Sequence, residues 1–411
     1  MRRAALLLAA GIVPAAAQTA TEHAVEQGRA DRQDDYKAIG VALGAFRLFP
    51  ALDLGIFHTS NVFRTAGDAE SDTYFTIAPA VTLISEWVRH ELKLSAGAEI
   101  RSYADLSSED RTDWRVKAEG RIDVTRPLRI MLNAGYDVRH EERGAPDAPG
   151  NAAAPTEYAV AGAGITVDYR SGRYGLRAEA TYSQFDWEPT ALNGLPDRSN
   201  ADRNRDEISG QITALYEFSP GYAAFLRATA GSRDFDLEAD RDGADRDMTR
   251  IGAEAGVAFE MTTLLIGEVY AGYREYAFDD ALFSDVDSFS YGGALRWYPT
   301  ELTTLRFRAS RALEPSTLLG VSGVTTTSYH AEVEHELLRN LILVGSAEFT
   351  REEFEGSVRD DDTTRLGLEA KYFISREATL TAGADLVERD STLPSAAYDE
   401  TLFGVTAGLK F

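Results

Sequence analysis

The stretch that ends the chain, Thr401–Phe411 (TLFGVTAGLKF), alternates along its whole length. One face of it carries only apolar side chains, at Phe403, Val405, Ala407, Leu409 and Phe411. A period of two residues is that of a β-strand, whose successive side chains point to opposite faces. This stretch therefore predicts a strand with one apolar face that finishes on an aromatic residue.

The same alternation recurs upstream and is clearest in His90–Tyr103, Trp114–Val124 and Thr303–Ser310. Each of these stretches sets an apolar face against a charged or polar one. In the first two, much of the apolar face is Ala or Gly. Such small side chains satisfy lipid tails but give a water-soluble sandwich little to pack. The pattern therefore favours membrane-spanning strands.

The connections between these strands alternate between short and long. Short turns such as Arg170–Arg173 and Ser219–Gly221 are followed by longer connections, often acidic, such as residues 237–247. Barrels of the outer membrane have short periplasmic turns and longer outer loops. We therefore predict an all-β fold, a single transmembrane antiparallel β-barrel of about 18 strands, with 16 as the alternative. An even count places both termini in the periplasm.

The predicted strands have the following approximate starts: Ala51, Tyr74, His90, Asp113, Arg129, Tyr158, Tyr174, Glu207, Ala223, Thr249, Leu264, Ser288, Thr303, Thr326, Leu341, Thr364, Ala378 and Thr401. Aromatic residues near strand ends predict two girdles at the membrane interfaces. The girdle at the long loops comprises Phe185, Trp187, Phe235, Tyr273, Tyr276 and Phe354. The girdle at the short turns comprises Trp87, Tyr174, Tyr222, Trp297, Tyr298 and Tyr372.

The N-terminus predicts export. A basic start at Arg2 and Arg3, an apolar core and the small residues Ala15–Ala17 form a secretory signal peptide over residues 1–17. Residues 18–40 are polar and predict a periplasmic lead, so residues 41–411 form the barrel. Within that range Val41–Leu48 is either an extra short strand or a segment tucked inside the barrel.

Composition narrows the class of protein further. The chain has no cysteine, which excludes disulfides and a lipoprotein anchor. Its formal charge of -24, from 42 basic and 66 acidic residues, argues against a nucleic-acid partner. The mean hydropathy of -0.27 shows no membrane helix, but alternation hides the apolar half of a membrane strand from such averages.

With these features in place, the chain resembles the outer-membrane β-barrel porin family of proteobacteria, in the branch often found beside exopolysaccharide genes. The resemblance is carried by Leu43–Phe46, Thr59–Arg64, Pro220–Tyr222, His335–Leu341 and the terminal Phe411. It implies location in the outer membrane, contact with lipid and lipopolysaccharide, and a C-terminal strand read by the barrel-insertion machinery. It implies neither a defined substrate nor catalytic residues.

The inward face of the barrel is the expected functional surface. Candidate lumen residues are Lys93, Arg101, Arg115, Lys117, Glu119, Arg121, Arg227, Glu254, Arg296, Arg306, Arg308, Glu332, Glu334, Glu336, Glu369 and Lys371. Their mixed signs predict cross-strand pairs in a hydrated bore, with a charge ladder between Arg306 or Arg308 and the three glutamates 332, 334 and 336. This wall either pairs its charges without selectivity or forms a selective constriction.

Three functions remain open: a diffusion channel, an accessory pore or scaffold for exopolysaccharide export, and a structural or adhesive barrel with a closed bore. Rows of lumen aromatics would favour sugar traffic, and Tyr103, Phe225, Tyr270, Tyr298 and Phe373 have the required parity. We expect no enzyme, cofactor or metal, since the six histidines form no HExxH pattern and the acidic loops lack calcium-loop spacing. Only His58 and His140 lie near long loops, so they are the only candidate histidines for loop-borne catalysis.

Overall fold

The computed structural model describes residues 36–261 and 264–411. The predicted signal peptide, residues 1–17, and most of the predicted lead lie outside the described residues. In the described part, nineteen strands form one antiparallel sheet. Short 3-10 helices occur in long loops at Ser107–Glu109, Ala201–Arg203 and Pro394–Ala396. No helix of the described chain is long and apolar enough to cross a membrane.

The strands have the following bounds: β1 (Val41–Leu43), β2 (Phe46–Thr59), β3 (Asp72–Ser85), β4 (Glu91–Tyr103), β5 (Arg111–Thr125), β6 (Leu128–His140), β7 (Glu157–Ser171), β8 (Tyr174–Trp187), β9 (Arg205–Ser219), β10 (Tyr222–Phe235), β11 (Met248–Met261), β12 (Leu265–Phe278), β13 (Val286–Thr300), β14 (Thr303–Glu314), β15 (Gly323–Leu338), β16 (Leu341–Glu355), β17 (Asp360–Phe373), β18 (Ala378–Ser391) and β19 (Tyr398–Lys410).

Strands β2 to β19 close into a ring. Each pairs with the next in the chain, and β19 pairs with β2 in a continuous register from Leu402 opposite Thr59 to Lys410 opposite Ala51. The prediction of a single antiparallel barrel with about 18 strands is confirmed. The predicted starts are close as well: the largest error is at β2, placed near Ala51 but beginning at Phe46.

Of the predicted segment Val41–Leu48, only Val41–Leu43 forms an extra short strand, and Phe46–Leu48 is the start of β2. Val41–Leu43 pairs with Phe46–Leu48 at the start of β2. The tight turn between them uses Gly44 at φ +64°, a backbone conformation that glycine adopts without strain. The Phe411 amide donates to the Pro50 carbonyl at 3.1 Å, so β1 covers the edge of β2 that β19 does not reach.

The barrel has two different ends. One, the short-turn end, carries tight connections such as Arg126–Pro127 between β5 and β6. The other, the long-loop end, carries segments such as residues 188–204 between β8 and β9. This alternation follows the predicted one.

The two faces of the wall also differ. On the outer face apolar side chains are exposed all round the ring, among them Leu226, Ile251 and Leu368, which is 73% exposed. A soluble protein would cover such a continuous apolar belt, whereas lipid accommodates it. The alternate side chains on every strand face the lumen, and most of the charges are there.

The predicted girdles are correct only in part. Trp87, Tyr174, Trp297 and Tyr372 are exposed on the outer face near the short turns, whereas Tyr298 is buried. Adjacent residues of a strand face opposite ways, so Trp297 and Tyr298 cannot both meet lipid.

At the long-loop end the predicted girdle is wrong for most of its members. Tyr273 is exposed, but Tyr276 and Phe354 are buried at 1% and 2% exposure. Phe185 and Trp187 lie under the guanidinium groups of arginines. The aromatics exposed on the outer face in this half of the barrel include Phe75, Trp114, Tyr136, Tyr182, Tyr273, Phe289, Tyr329, Phe349 and Phe403.

Candidate functional site: the charged lumen and its inward loop

Ladders of opposite charge run along the lumen wall where the strand register places acids beside bases. Arg306 on β14 faces Glu332 on β15, and its Nη1 contacts the carboxylates of Glu332 at 2.6 Å and Glu334 at 2.8 Å. Lys93 faces Glu119, and its Nζ lies 2.5 Å from that carboxylate. These contacts bring together five of the predicted lumen residues.

A second group forms on the wall from β10 to β13. The Glu254 carboxylate accepts from Arg274 at 2.6 Å, from Ser290 Oγ at 2.6 Å and from Arg227 at 3.2 Å. The Arg227 guanidinium also lies 5.0 Å from the ring centres of Phe225 and Tyr270. This group is packed into the wall, because Glu254 and Phe225 are each 3% exposed.

The remaining predicted lumen residues fall into two sets. Arg121 pairs with Glu91 at 3.2 Å and Arg101 with Glu99 at 2.8 Å. Arg296, Glu336 and Glu369 also interact with neighbouring groups. By contrast, four predicted lumen cations make no hydrogen bond or ion pair with any described residue: Arg115, Lys117, Arg308 and Lys371, of which Lys371 lies over the Phe373 ring.

The long-loop end is crossed by residues 141–156, which we call the inward loop. Its base is closed by the Glu141 amide, which donates to the Thr156 carbonyl at 2.8 Å. Glu141 binds Arg203 of the β8–β9 loop through both carboxylate oxygens, at 2.6 and 3.1 Å. Arg143 binds Glu109 of the β4–β5 loop in the same two-pronged way. These charge-assisted, bidentate pairs fix the loop to its own side of the barrel.

The tip of the inward loop reaches the far side. Arg389 on β18 donates to the Gly144 carbonyl at 2.5 Å. Asp147 accepts from Ser316 Oγ at 2.8 Å and from the Thr317 amide at 3.1 Å, both in the β14–β15 loop. The inward loop starts from β6, and β14 is eight places away in a ring of 18 strands. The loop therefore spans the mouth.

The β14–β15 loop, residues 315–322, is itself held in place. Arg246 of the β10–β11 loop donates to the carbonyls of Ser316, Val321 and Leu318 at 2.6, 2.8 and 3.2 Å. Val321 packs against Val324 and Phe354 in a buried cluster. The inward loop therefore ends on a fixed support.

Neighbouring arginines lower the pKa of one carboxylate in the inward loop. Glu142 lies 2.7 Å from Arg111 and 3.6 Å from Arg64. Burial disfavours its charged form, but Arg111 and Arg64 outweigh burial and lower its pKa from 4.5 to about 2. Glu142 stays ionised across the neutral and mildly acidic range, so its contacts persist there.

The short-turn end carries a smaller aromatic and basic group. The Tyr36 ring stacks on Phe373 at 5.1 Å between centres. The Nζ atoms of Lys371 and Lys410 lie 5.3 and 5.2 Å from the centre of the Phe373 ring. Phe373 is only 5% exposed, so this end of the wall is packed around it.

The two loop-proximal histidines bind strand neighbours. His58 Nδ1 lies 3.1 Å from Thr73 Oγ1, and His140 Nδ1 lies 2.8 Å from an Asp113 oxygen. Within residues 36–261 and 264–411, no group of three or more His, Asp or Glu side chains is placed to hold a metal ion.

The alternation of the strands does not predict that residues 141–156 fold inward across the mouth. The signal that could have revealed it is composition. Residues 144–155 (GAPDAPGNAAAP) consist of small residues and proline with one charge, Asp147, whereas the β10–β11 loop is rich in Asp and Arg. A segment with so little charge gains less from facing solvent, and its small side chains fit inside a mouth.

Together, the closed ring, apolar belt and charged bore define a transmembrane β-barrel of the outer-membrane type. Residues 34–411 match the model of the family described as "Putative beta-barrel porin 2". The chain belongs to that porin family, which confirms the family resemblance seen in the sequence, whereas the branch beside exopolysaccharide genes stays a prediction. No curated protein matches the chain.

Solved structures with similar folds include OpdO of Pseudomonas aeruginosa (13% identity, TM-score 0.45, 89% of this chain and 97% of that one). Others are OccAB3 of Acinetobacter baumannii (10%, 0.48, 90% and 100%) and the siderophore receptor PiuA of the same organism (10%, 0.47, 90% and 82%). At such identities and TM-scores these likenesses carry no argument about function.

Proposed function

We propose that this protein is a diffusion channel for small hydrophilic solutes in the outer membrane of a Gram-negative bacterium. The observation that carries the proposal is the inner face of the closed ring. Charged side chains project there from strand after strand. Arg115 and Arg308 are solvent-exposed although they face the lumen and not the outside of the barrel. A ring of 18 strands is wide enough to enclose an aqueous channel.

The proposed orientation places the short turns and both termini in the periplasm and the long loops outside. The even number of barrel strands and the difference between the two ends support it. In this orientation the inward loop narrows the outer mouth, so passage is limited to small solutes. A signal peptide over residues 1–17 would direct the chain to export across the inner membrane.

Two other functions are less well supported. An accessory pore for exopolysaccharide would need rows of aromatic faces open to sugar, but three of the five lumen aromatics, Phe225, Tyr298 and Phe373, are at most 5% exposed. A structural barrel with a closed bore would need the loops to seal the mouth completely. We propose no enzymatic activity, in keeping with membership of a porin family.

The proposed partners are those of an outer-membrane barrel. The exposed apolar belt would contact lipid, and the long loops would lie beside lipopolysaccharide. The outer face of β19, with Phe403, Val405, Ala407, Leu409 and Phe411, would be read by the barrel-insertion machinery. We propose no cofactor and no nucleic-acid partner; polysaccharide-export components would be partners only under the alternative function.

Solute flux into liposomes tests the proposal. Purified protein is refolded into vesicles, and swelling is followed in uncharged solutes of increasing size, from glycerol to a trisaccharide. The proposal predicts rapid swelling that declines sharply with solute size. Refolded protein that shows heat-modifiable migration but no swelling above empty vesicles would contradict the channel and favour a closed structural barrel.

A further inference from the structure

The strand register decides which lumen cations are neutralised by a carboxylate on the neighbouring strand. Arg121 and Lys93 each face a glutamate across the strand pair, and both are ion-paired. Lys117 faces Ser95 and Gly135, and Arg308 faces Ala294 and His330. No carboxylate is therefore directly opposite Lys117 or Arg308.

Arg115 has an acid as a register partner but does not bind it. Its two register partners are Gly97 and Asp137, and the Asp137 carboxylate forms an ion pair with Arg139 at 3.1 Å. Lys117, two residues further on, extends its side chain over Gly135, whose missing Cβ leaves room for it. Strand β5 thus presents two adjacent lumen cations without a counter-charge.

Arg308 lies on the opposite wall. Strand β14 is nine places from β5 in the ring of 18 barrel strands, half of the circumference. Arg308 is near the middle of β14, and Arg115 and Lys117 are in the half of β5 nearer the long loops. Solute moving through the bore would therefore pass between unpaired cations on both sides.

We propose that Arg115, Lys117 and Arg308 form a cationic zone on both walls of the bore that makes the channel prefer small anions, carboxylates and phosphates above all. This rests on the proposed channel function and names its solute class. Charges neutralised in tight pairs contribute little to the potential of a bore, so unpaired charges set its sign. Guanidinium groups match carboxylate and phosphate geometry well.

Part of the acidic charge at the mouth is neutralised, because several carboxylates there are bound to arginines, although exposed loop acids such as Asp68, Glu70 and Asp242 make no ion pair with a described residue. Such pairs include Glu109–Arg143, Glu141–Arg203, Asp202–Arg241, Asp240–Arg246 and Asp361–Arg359. Within the bore, Asp53, Glu179, Glu314 and Glu348 have no ion pair to a described residue, although Glu179 accepts from Gln211 and Glu348 faces Arg365 in register. Unpaired cations still outnumber these acids in the bore, because Arg250, Arg365 and Lys371 also make no ion pair with a described residue.

Reversal potentials in a planar bilayer under a salt gradient test the proposal. With the full chain refolded and potassium chloride in tenfold excess on one side, the proposal predicts a potential of the sign for chloride preference. A channel that conducts but prefers potassium would overturn the inference and leave the channel function standing. A folded barrel that never conducts would overturn both.

Variants assign the preference to these residues. The triple variant Arg115→Gln, Lys117→Gln, Arg308→Gln should lower the chloride-to-potassium permeability ratio by about threefold or more, given unit charges within roughly 10 Å of the path. Glu348→Gln should raise that ratio. Heat-modifiable migration checks that each variant is folded.

A matched control removes positive charge outside the bore. Arg126 and Arg173 are exposed in short turns, and Arg126→Gln with Arg173→Gln should leave the permeability ratio as in the wild type. A folded triple variant with an unchanged ratio would contradict the assignment, as would a control that shifts the ratio as far as the triple variant does.

Discussion

The carboxylate of Asp147 accepts a hydrogen bond from Ser316 Oγ at 2.8 Å, although the two residues belong to loops on opposite sides of the barrel. The same carboxylate accepts from the Thr317 amide at 3.1 Å. Arg389 holds the neighbouring Gly144 carbonyl at 2.5 Å. These few bonds keep the inward loop stretched across the mouth.

Asp147→Ala should release the tip of the inward loop. Two hydrogen bonds to a charged acceptor are lost, which weakens this anchor by roughly 1–3 kcal/mol. We expect single-channel records with openings to a larger conductance level about tenfold more often than in the wild type. Asp242→Ala is the control, since it removes the same charge from an exposed loop position. Identical records for the two variants would show that the tip contact does not hold the loop.

Glu142 holds the inward loop to Arg111 and Arg64, so its protonation at low pH should change the conductance of the channel. Its pKa is lowered to about 2, so the stabilisation is complete above pH 4.5 and is lost as the pH falls from there towards 2. Conductance should be constant from pH 7 to 5 and fluctuate more below 4.5. Glu142→Gln should fluctuate at neutral pH and show a weaker acid response. An acid response of wild-type size in Glu142→Gln would assign it to other groups.

The seam that closes the barrel depends on a glycine. Gly404 on β19 faces Phe57 on β2, and a Cβ at Gly404 would collide with the Phe57 ring and lie 2.7 Å from the Ile56 carbonyl. Gly404→Ala should lower the free energy of unfolding by about 1–3 kcal/mol, because the seam would be overpacked. Urea titration followed by heat-modifiable migration measures the loss.

Gly120→Ala is the matched control for the seam. A Cβ at Gly120 meets nothing closer than 3.9 Å, so this variant should unfold at or above the wild-type urea concentration. Adding Phe57→Leu to Gly404→Ala should recover part of the loss, since leucine has no ring to collide. If Gly404→Ala and Gly120→Ala lower the free energy of unfolding equally, overpacking at the seam is not the cause.

The terminal aromatic should matter for assembly in cells more than for the folded barrel. The Phe411 side chain is 54% exposed, and its amide makes one bond, to Pro50. Removing Phe411 should reduce the folded barrel recovered from outer membranes several-fold, while refolding in detergent stays close to wild type. Unchanged recovery from cells would contradict a role in recognition by the insertion machinery.

Much of the barrel could be predicted because its strands obey a local rule. Alternation in stretches such as His90–Tyr103 reflects a wall with lipid on one side and water on the other, and it marks both the strand and its faces. The cross-strand ladder at Arg306, Glu332 and Glu334 could be predicted for the same reason, since neighbouring strands are consecutive in the chain.

The mouth could not be predicted in this way. The contacts of Gly144 with Arg389 and of Asp147 with Ser316 join irregular segments far apart in the chain, where no periodicity constrains the partners. The predicted long-loop girdle is wrong for another reason: nearness to a strand end does not decide which face of the wall a side chain occupies. Tyr273 and Tyr276 are three residues apart, so they face opposite sides of the wall.

Single-channel conductance of the wild type beside a variant without the inward loop tests the central claim most directly. Because Glu141 and Thr156 already pair at the base, residues 142–155 can be replaced by a short glycine turn. We predict steady openings for the wild type and a conductance about twofold or more larger for the variant, as expected when a wide bore loses its constriction. Silent bilayers with both proteins folded, or equal conductances, would contradict a channel narrowed by this loop.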